Sequence, residues 1–129
     1  MELRAAVYVN AENRIVDERT FPPGADVTIG ADPNAGLVVP GWAGAAVLLI
    51  SGGTLLNLSP GMRVNMCDDH GGERIVGTFD ELFAAGVTMP IPLNRRRVNV
   101  RVREGVSVFT KYLAEGESES REYPLDETL

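Results

Sequence analysis

The chain holds one histidine and one cysteine, and they lie three positions apart. Cys67, Asp68, Asp69 and His70 therefore concentrate most of what could bind a metal or act as a nucleophile. Asp68, Asp69 and His70 are three potential ligands in a loop followed by Gly71 and Gly72. Adjacent residues point in different directions, so they rarely close around one ion without ligands from elsewhere. A solvated polar turn accounts for the same residues. A Ser-His-Asp or Cys-His device would have to use His70, and nothing near it in sequence suggests donors for a developing oxyanion. Cys67 reads equally as an ordinary thiol in a strand. Gly41-Trp42-Ala43-Gly44 and Gly71-Gly72 lack the lysine and the following helix of a phosphate-binding loop. Glu73, Asp80 and Glu81 do not form a catalytic pair. The expectation is a protein without catalytic activity, cofactor or metal.

Binding chemistry is better represented. Arg95, Arg96 and Arg97 form a run, and Arg101 and Arg103 follow at alternate positions. Period-two alternation places Arg97, Arg101 and Arg103 on one strand face, where guanidinium groups suit bidentate contact with carboxylate or phosphate. The same charges would also protect an edge strand from aggregation. Trp42, the only tryptophan, sits in a Gly/Ala loop. It reads either as an interface anchor or as a plug at one end of the core.

The elements that must carry these residues read as strands. Leu3, Ala5, Val7 and Val9 alternate with more polar neighbours, the pattern of a half-buried strand. Arg14–Phe21 returns, and Pro22-Pro23-Gly24 stops pairing. Short strands follow at Val27–Gly30 and Leu37–Val39. Ala45–Ser51 is apolar enough to be buried on both faces, and Gly52-Gly53 suits a two-residue hairpin to Thr54–Leu58. Met62–Cys67 and Arg74–Gly77 are further strands. Thr78 and Glu81 have capping-box spacing, which predicts one short helix near residues 79–85 closed by Gly86. Pro90 and Pro92 keep the next stretch extended or irregular. Arg97–Arg103 alternates with Val98, Val100 and Val102 inward, and Val106–Leu113 is the last strand. Short strands punctuated by Gly and Pro predict an all-β sandwich of two packed, mostly antiparallel sheets.

Composition bounds the rest. At 129 residues with 44% apolar residues, the chain can bury a core without disulfides. No apolar run is long enough to span a bilayer, and the first residues have no apolar signal-like stretch, so a cytoplasmic setting without membrane insertion is expected. The net charge of −6 is uneven: residues 114–129 hold six carboxylates against Arg121, so −5 of it lies there and −1 in residues 1–113. No basic excess points to nucleic acid. The expected organisation is a sandwich domain over 1–113 and an acidic, disordered tail over 114–129. Folding of that tail over the arginine patch is a further possibility.

The run Phe21-Pro-Pro-Gly-Ala-Asp-Val-Thr-Ile-Gly30 followed by Ala-Asp-Pro-Asn-Ala-Gly-Leu-Val-Val-Pro40 resembles the opening of a forkhead-associated (FHA) domain. Ala45–Ser51 and Thr54–Ser59 resemble its next hairpin, Leu56-Asn-Leu-Ser59 with Asn65 its Ser-x-Asn-Gly region, and Arg97–Leu113 its closing hairpin. The likeness covers residues 1–113 and is nearest to divergent FHA-like modules of myxobacterial and related multidomain bacterial proteins. It implies an eleven-stranded sandwich that recognises phosphothreonine peptides through loops at one end. The departures fall on those loops. Ala31 stands where the family has arginine, residues 41–46 lack its serine and histidine, and Pro60-Gly61 replaces Asn-Gly. Ser59 and Arg63 are the remaining polar candidates.

Three functions are consistent with these residues. The first is a non-catalytic protein–protein interaction or scaffold module in assembly or signalling, with degenerate phosphothreonine loops. The second is a working phosphopeptide binder that uses Ser59, Arg63 and the arginines. The third is a small metal-binding or cysteine-dependent enzyme built on residues 67–70.

Overall fold

The computed structural model describes residues 2–58, 61–67, 74–94 and 96–113. Eleven strands and one helix occur among them: β1 (Glu2–Val9), β2 (Arg14–Phe21), β3 (Val27–Gly30), β4 (Leu37–Val38), β5 (Val47–Ser51), β6 (Thr54–Leu55), β7 (Arg63–Cys67), β8 (Arg74–Thr78), α1 (Phe79–Ala84), β9 (Ile91–Pro92), β10 (Arg97–Arg103) and β11 (Val106–Leu113). They form a six-stranded sheet in the order β2-β1-β11-β10-β7-β8 and a five-stranded sheet in the order β4-β3-β5-β6-β9. Every pairing is antiparallel except β3 with β4. The fold class expected from the sequence is therefore correct.

Alternation builds the core. Leu3, Ala5, Val7 and Val9 of β1, Val98, Val100 and Val102 of β10, and Val106 and Val108 of β11 point into it. They meet Val27 and Ile29 of β3, Leu49 and Ile50 of β5, Leu55, Ile91 and Leu93 from the other sheet. Each valine, leucine and isoleucine among them contributes roughly 1.5–3 kcal/mol by leaving water.

Local sequence rules explain the connections. Gly52 and Gly53 both take positive φ, +57° and +77°, and turn the chain so that Ser51 pairs with Thr54, as a primed hairpin requires. The capping box forms: the Thr78 hydroxyl accepts from the Glu81 amide, and the Glu81 carboxylate accepts from the Thr78 amide. Leu82 is the helix residue that reaches the core. The two-residue β4 is paired on one side only; the Asp17 carboxylate accepts from the Val38 amide at 2.9 Å, and Arg19 donates to the Ala35 carbonyl at 3.1 Å. A side chain from the opposite sheet thus satisfies an edge amide.

Three details differ from the sequence reading. Ile91–Pro92 pairs with β6 as a strand, because proline at an exposed edge has no ladder bond to lose. The strand expected at Thr54–Leu58 ends at Leu55. Most consequentially, β1 is not half-buried: Arg4 and Ala6, on the face away from the core, are as covered as Leu3 and Ala5.

Candidate functional site

The loops that the sequence singled out meet at one end of the sandwich. The Val39 amide donates to the Gly30 carbonyl at 2.8 Å, which sets the β4–β5 connection beyond the end of β3. The Leu56 amide donates to Leu49 at 2.9 Å, so the chain leaving β6 runs toward that end too, where β7 starts at Arg63. In the other sheet, β10 turns into β11 here, and the Asn10 amide donates to Gly105 at 2.8 Å, which brings in the β1–β2 turn. Arg103 Nη1 joins the two sheets by donating to the Pro40 carbonyl at 2.7 Å.

That bond depends on two local features. A register shift lies between Arg101 and Arg103, so Arg103 pairs with Val106 and leaves the simple alternation. Bulges redirect side chains in this way. The expected single face of Arg97, Arg101 and Arg103 therefore holds only Arg97 and Arg101. The second feature is Gly41, at φ +72°: a Cβ there would lie 2.9 Å from Arg103 Cζ. Glycine lets the guanidinium lie against the backbone.

Trp42 is half-buried. It packs on the core, and its indole N–H donates to the Ala45 carbonyl at 3.0 Å. It plugs the end of the sandwich and closes its own loop. Arg63 Nη1 pairs with Glu81 Oε1 at 3.0 Å. The Glu81 carboxyl is held below its usual value of 4.5, chiefly by the Thr78 backbone N–H, then by the Thr78 hydroxyl, with the Arg63 charge adding to both. An ionised carboxylate thus ties β7 to the helix start.

The other arginines lie elsewhere. Arg96 donates to the Pro92 and Leu93 carbonyls at 2.8 and 3.2 Å and caps its own loop, at the opposite end from Arg103. Arg97 and Arg101 lie on the outward face of the six-stranded sheet, opposite Cys67 and Arg63. Ser59, Arg95, Asp68, Asp69 and His70, and the whole of 114–129, lie outside the described residues. Among the described residues no three of His, Cys, Asp and Glu cluster as metal ligands, and no helix is long and apolar enough to cross a membrane.

The outward face holds what the sequence reading missed. Arg4 of β1 is 1% exposed and donates to Glu18 through Nε at 2.9 Å and through Nη2. Asn65, Asn99 and Ser107 are buried on the same face. Only strand order and register bring these positions together, from four separate parts of the chain, so no local pattern could have revealed them. Comparison with protein-family models, with curated proteins and with solved structures gives no match.

Proposed function

We propose that this chain is a non-catalytic protein–protein interaction or scaffold module, FHA-like in type, with degenerate phosphothreonine-binding loops and a protein partner in the cytoplasm. Eleven strands divided between two sheets support the FHA-like reading, together with the motif resemblance in residues 21–40 and 45–59.

One observation carries the functional half. The polar groups described at the loop end already have partners within the chain. Arg63 is bound to Glu81, Arg103 to the Pro40 carbonyl and Trp42 to the Ala45 carbonyl. A phosphate needs several charge-assisted donors converging on it, and recruiting these would break bonds that hold the loops. Scaffold binding by shape and apolar contact makes no such demand.

A phosphopeptide reading keeps one support: Arg101 is half-buried opposite Arg63 and makes no ion pair among the described residues. Titration of the full chain with phosphothreonine peptides and their unphosphorylated counterparts decides between the two. The scaffold reading expects no preference for the phosphorylated form; a strong preference overturns it. Metal analysis of the purified chain tests the enzyme alternative, which a stoichiometric ion would favour.

A further inference from the structure

We infer that β8 is a pairing edge and that its occupant is the β8 of a second copy of this chain, joined antiparallel about a two-fold axis. The four edges of the two sheets are not alike. β2 carries Arg14, Asp17, Glu18 and Arg19 and a register shift against β1, and charges and bulges both blunt an edge. β4 is two residues long, and the Asp17 carboxylate already holds its Val38 amide. β9 is also two residues long and contains Pro92, which has no N–H to offer. β8 is five residues, Arg-Ile-Val-Gly-Thr, without proline or lysine and in unbroken register with β7. Among the described residues β7 is its one strand neighbour.

The hydrogen bonds show which backbone groups this edge presents. The Thr78 amide donates to the Glu81 carboxylate at 2.9 Å, so it is not a rung to Arg63, its register partner. In an antiparallel pair the rungs fall on alternate residues. Ile75 and Gly77 therefore bond to Met66 and Val64, and the N–H and C=O of Arg74 and Val76 point away from β7. A row of backbone groups presented in this way is a template for another strand. Two-fold pairing about Ile75 sets Arg74 opposite Val76 of the second copy, and Val76 opposite its Arg74. Each such pair exchanges both of its N–H···O=C bonds.

Charge selects a second copy as the occupant. The edge carries one cation, the exposed Arg74, at its start, and the first turn of α1 brings Asp80 and Glu81 at its end. Arg74 makes no ion pair with the described residues. Antiparallel pairing turns each Arg74 toward Thr78 and the start of α1 in the other copy, plus against minus at both ends. Parallel pairing would set Arg74 beside Arg74, and like charges so placed destabilise a sheet. Phe79, one of the two exposed large apolar side chains among the described residues, directly follows Thr78. The same guanidinium thus comes within reach of an aromatic ring, which attracts it.

One short strand and one helical turn make a small interface, below the roughly 1,200–2,000 Å² of a standard stable complex. The dimer is therefore weak and concentration-dependent. The inference goes beyond the scaffold reading and does not rest on it, since titration with phosphopeptides leaves this edge untouched.

Sedimentation of the full chain over a concentration series tests this, carried up to about 1 mM to include weak association. The chain is expected to pass from monomer toward dimer as concentration rises. Val76→Pro removes an N–H that no rung to β7 uses, so the fold should survive while the dissociation constant rises about tenfold or more. Arg74→Asp should weaken the dimer as well, and adding Asp80→Arg to it should restore association. That rescue carries the test if the proline variant fails to fold. A chain that stays monomeric throughout overturns the inference, whether its edge is then bare or takes a strand of another protein. So does a dimer that forms equally well with Val76→Pro in a folded chain, or a double variant that associates no better than Arg74→Asp alone.

Discussion

Ala5 and Ala6 are neighbours on the same strand, and both are fully buried. Ala5 points into the space between the sheets, where Val7, Val9 and the valines of β10 and β11 surround it. Ala6 points the other way, onto a face where Arg4, Lys111, Arg97 and Arg101 are its charged company. The two faces reach the same exclusion from water by different means. One is apolar, and its cover is the second sheet. The other is cationic at its margins, and its most deeply buried cation, Arg4, is bound to Glu18. A face that carries charge is therefore not necessarily a face that meets solvent.

Substitutions on one strand separate these two kinds of burial. Leu3→Ala removes a fully buried inner side chain and is expected to cost about 2–5 kcal/mol in chemical unfolding. Arg4→Met, one position along, keeps the volume but strands the Glu18 carboxylate, at an expected cost of about 1–3 kcal/mol. A neutral result for Arg4→Met would mean that the guanidinium is solvated and the outward face open. Arg103 extends the comparison, because the bulge has moved it off that face to the Pro40 carbonyl. Gly41→Ala places a side chain at φ +72° and displaces the guanidinium. The strain is about 1–2 kcal/mol, and the β4–β5 loop should loosen, read as faster amide exchange around Trp42.

The smallest expected effect concerns pH at the margin of the outward face. Glu81 is held below 4.5 in the folded chain, so its contribution is fully present above the unfolded value. It is lost as pH falls through the lowered, folded one. The Thr78 amide resonance should follow that single titration while the resonances of inner-face residues such as Val64 stay fixed. A midpoint at or above 4.5 would detach Glu81 from Thr78 and Arg63.

Much of the framework was legible because local rules sufficed. Period-two apolar patterns located β1 and β10, and the turns after them located β2 and β11; Gly52-Gly53 located a hairpin; Thr78 and Glu81 located the only helix among the described residues. What escaped the sequence depended on partners distant in the chain. The Arg103 bulge arises where β10 meets β11, and alternation alone put that residue on the wrong face. Arg4 read as an exposed charge, because nothing in residues 2–9 says that β1 has a second buried face. Arg63 was a candidate ligand contact, and its partner Glu81 had been accounted for as a cap. Trp42, Arg63 and Arg103 were legible as candidates from residue type alone, but their internal hydrogen bonds follow from the fold.

Thiol reactivity at the two adjacent alanines tests the account most directly. With Cys67 replaced by serine, Ala5→Cys and Ala6→Cys each place one thiol on one face of β1. Two buried faces predict that both react slowly in the folded chain and rapidly once it is unfolded. A protected thiol at position 5 beside a freely reactive one at position 6 would show that the outward face is bare, and would contradict the account.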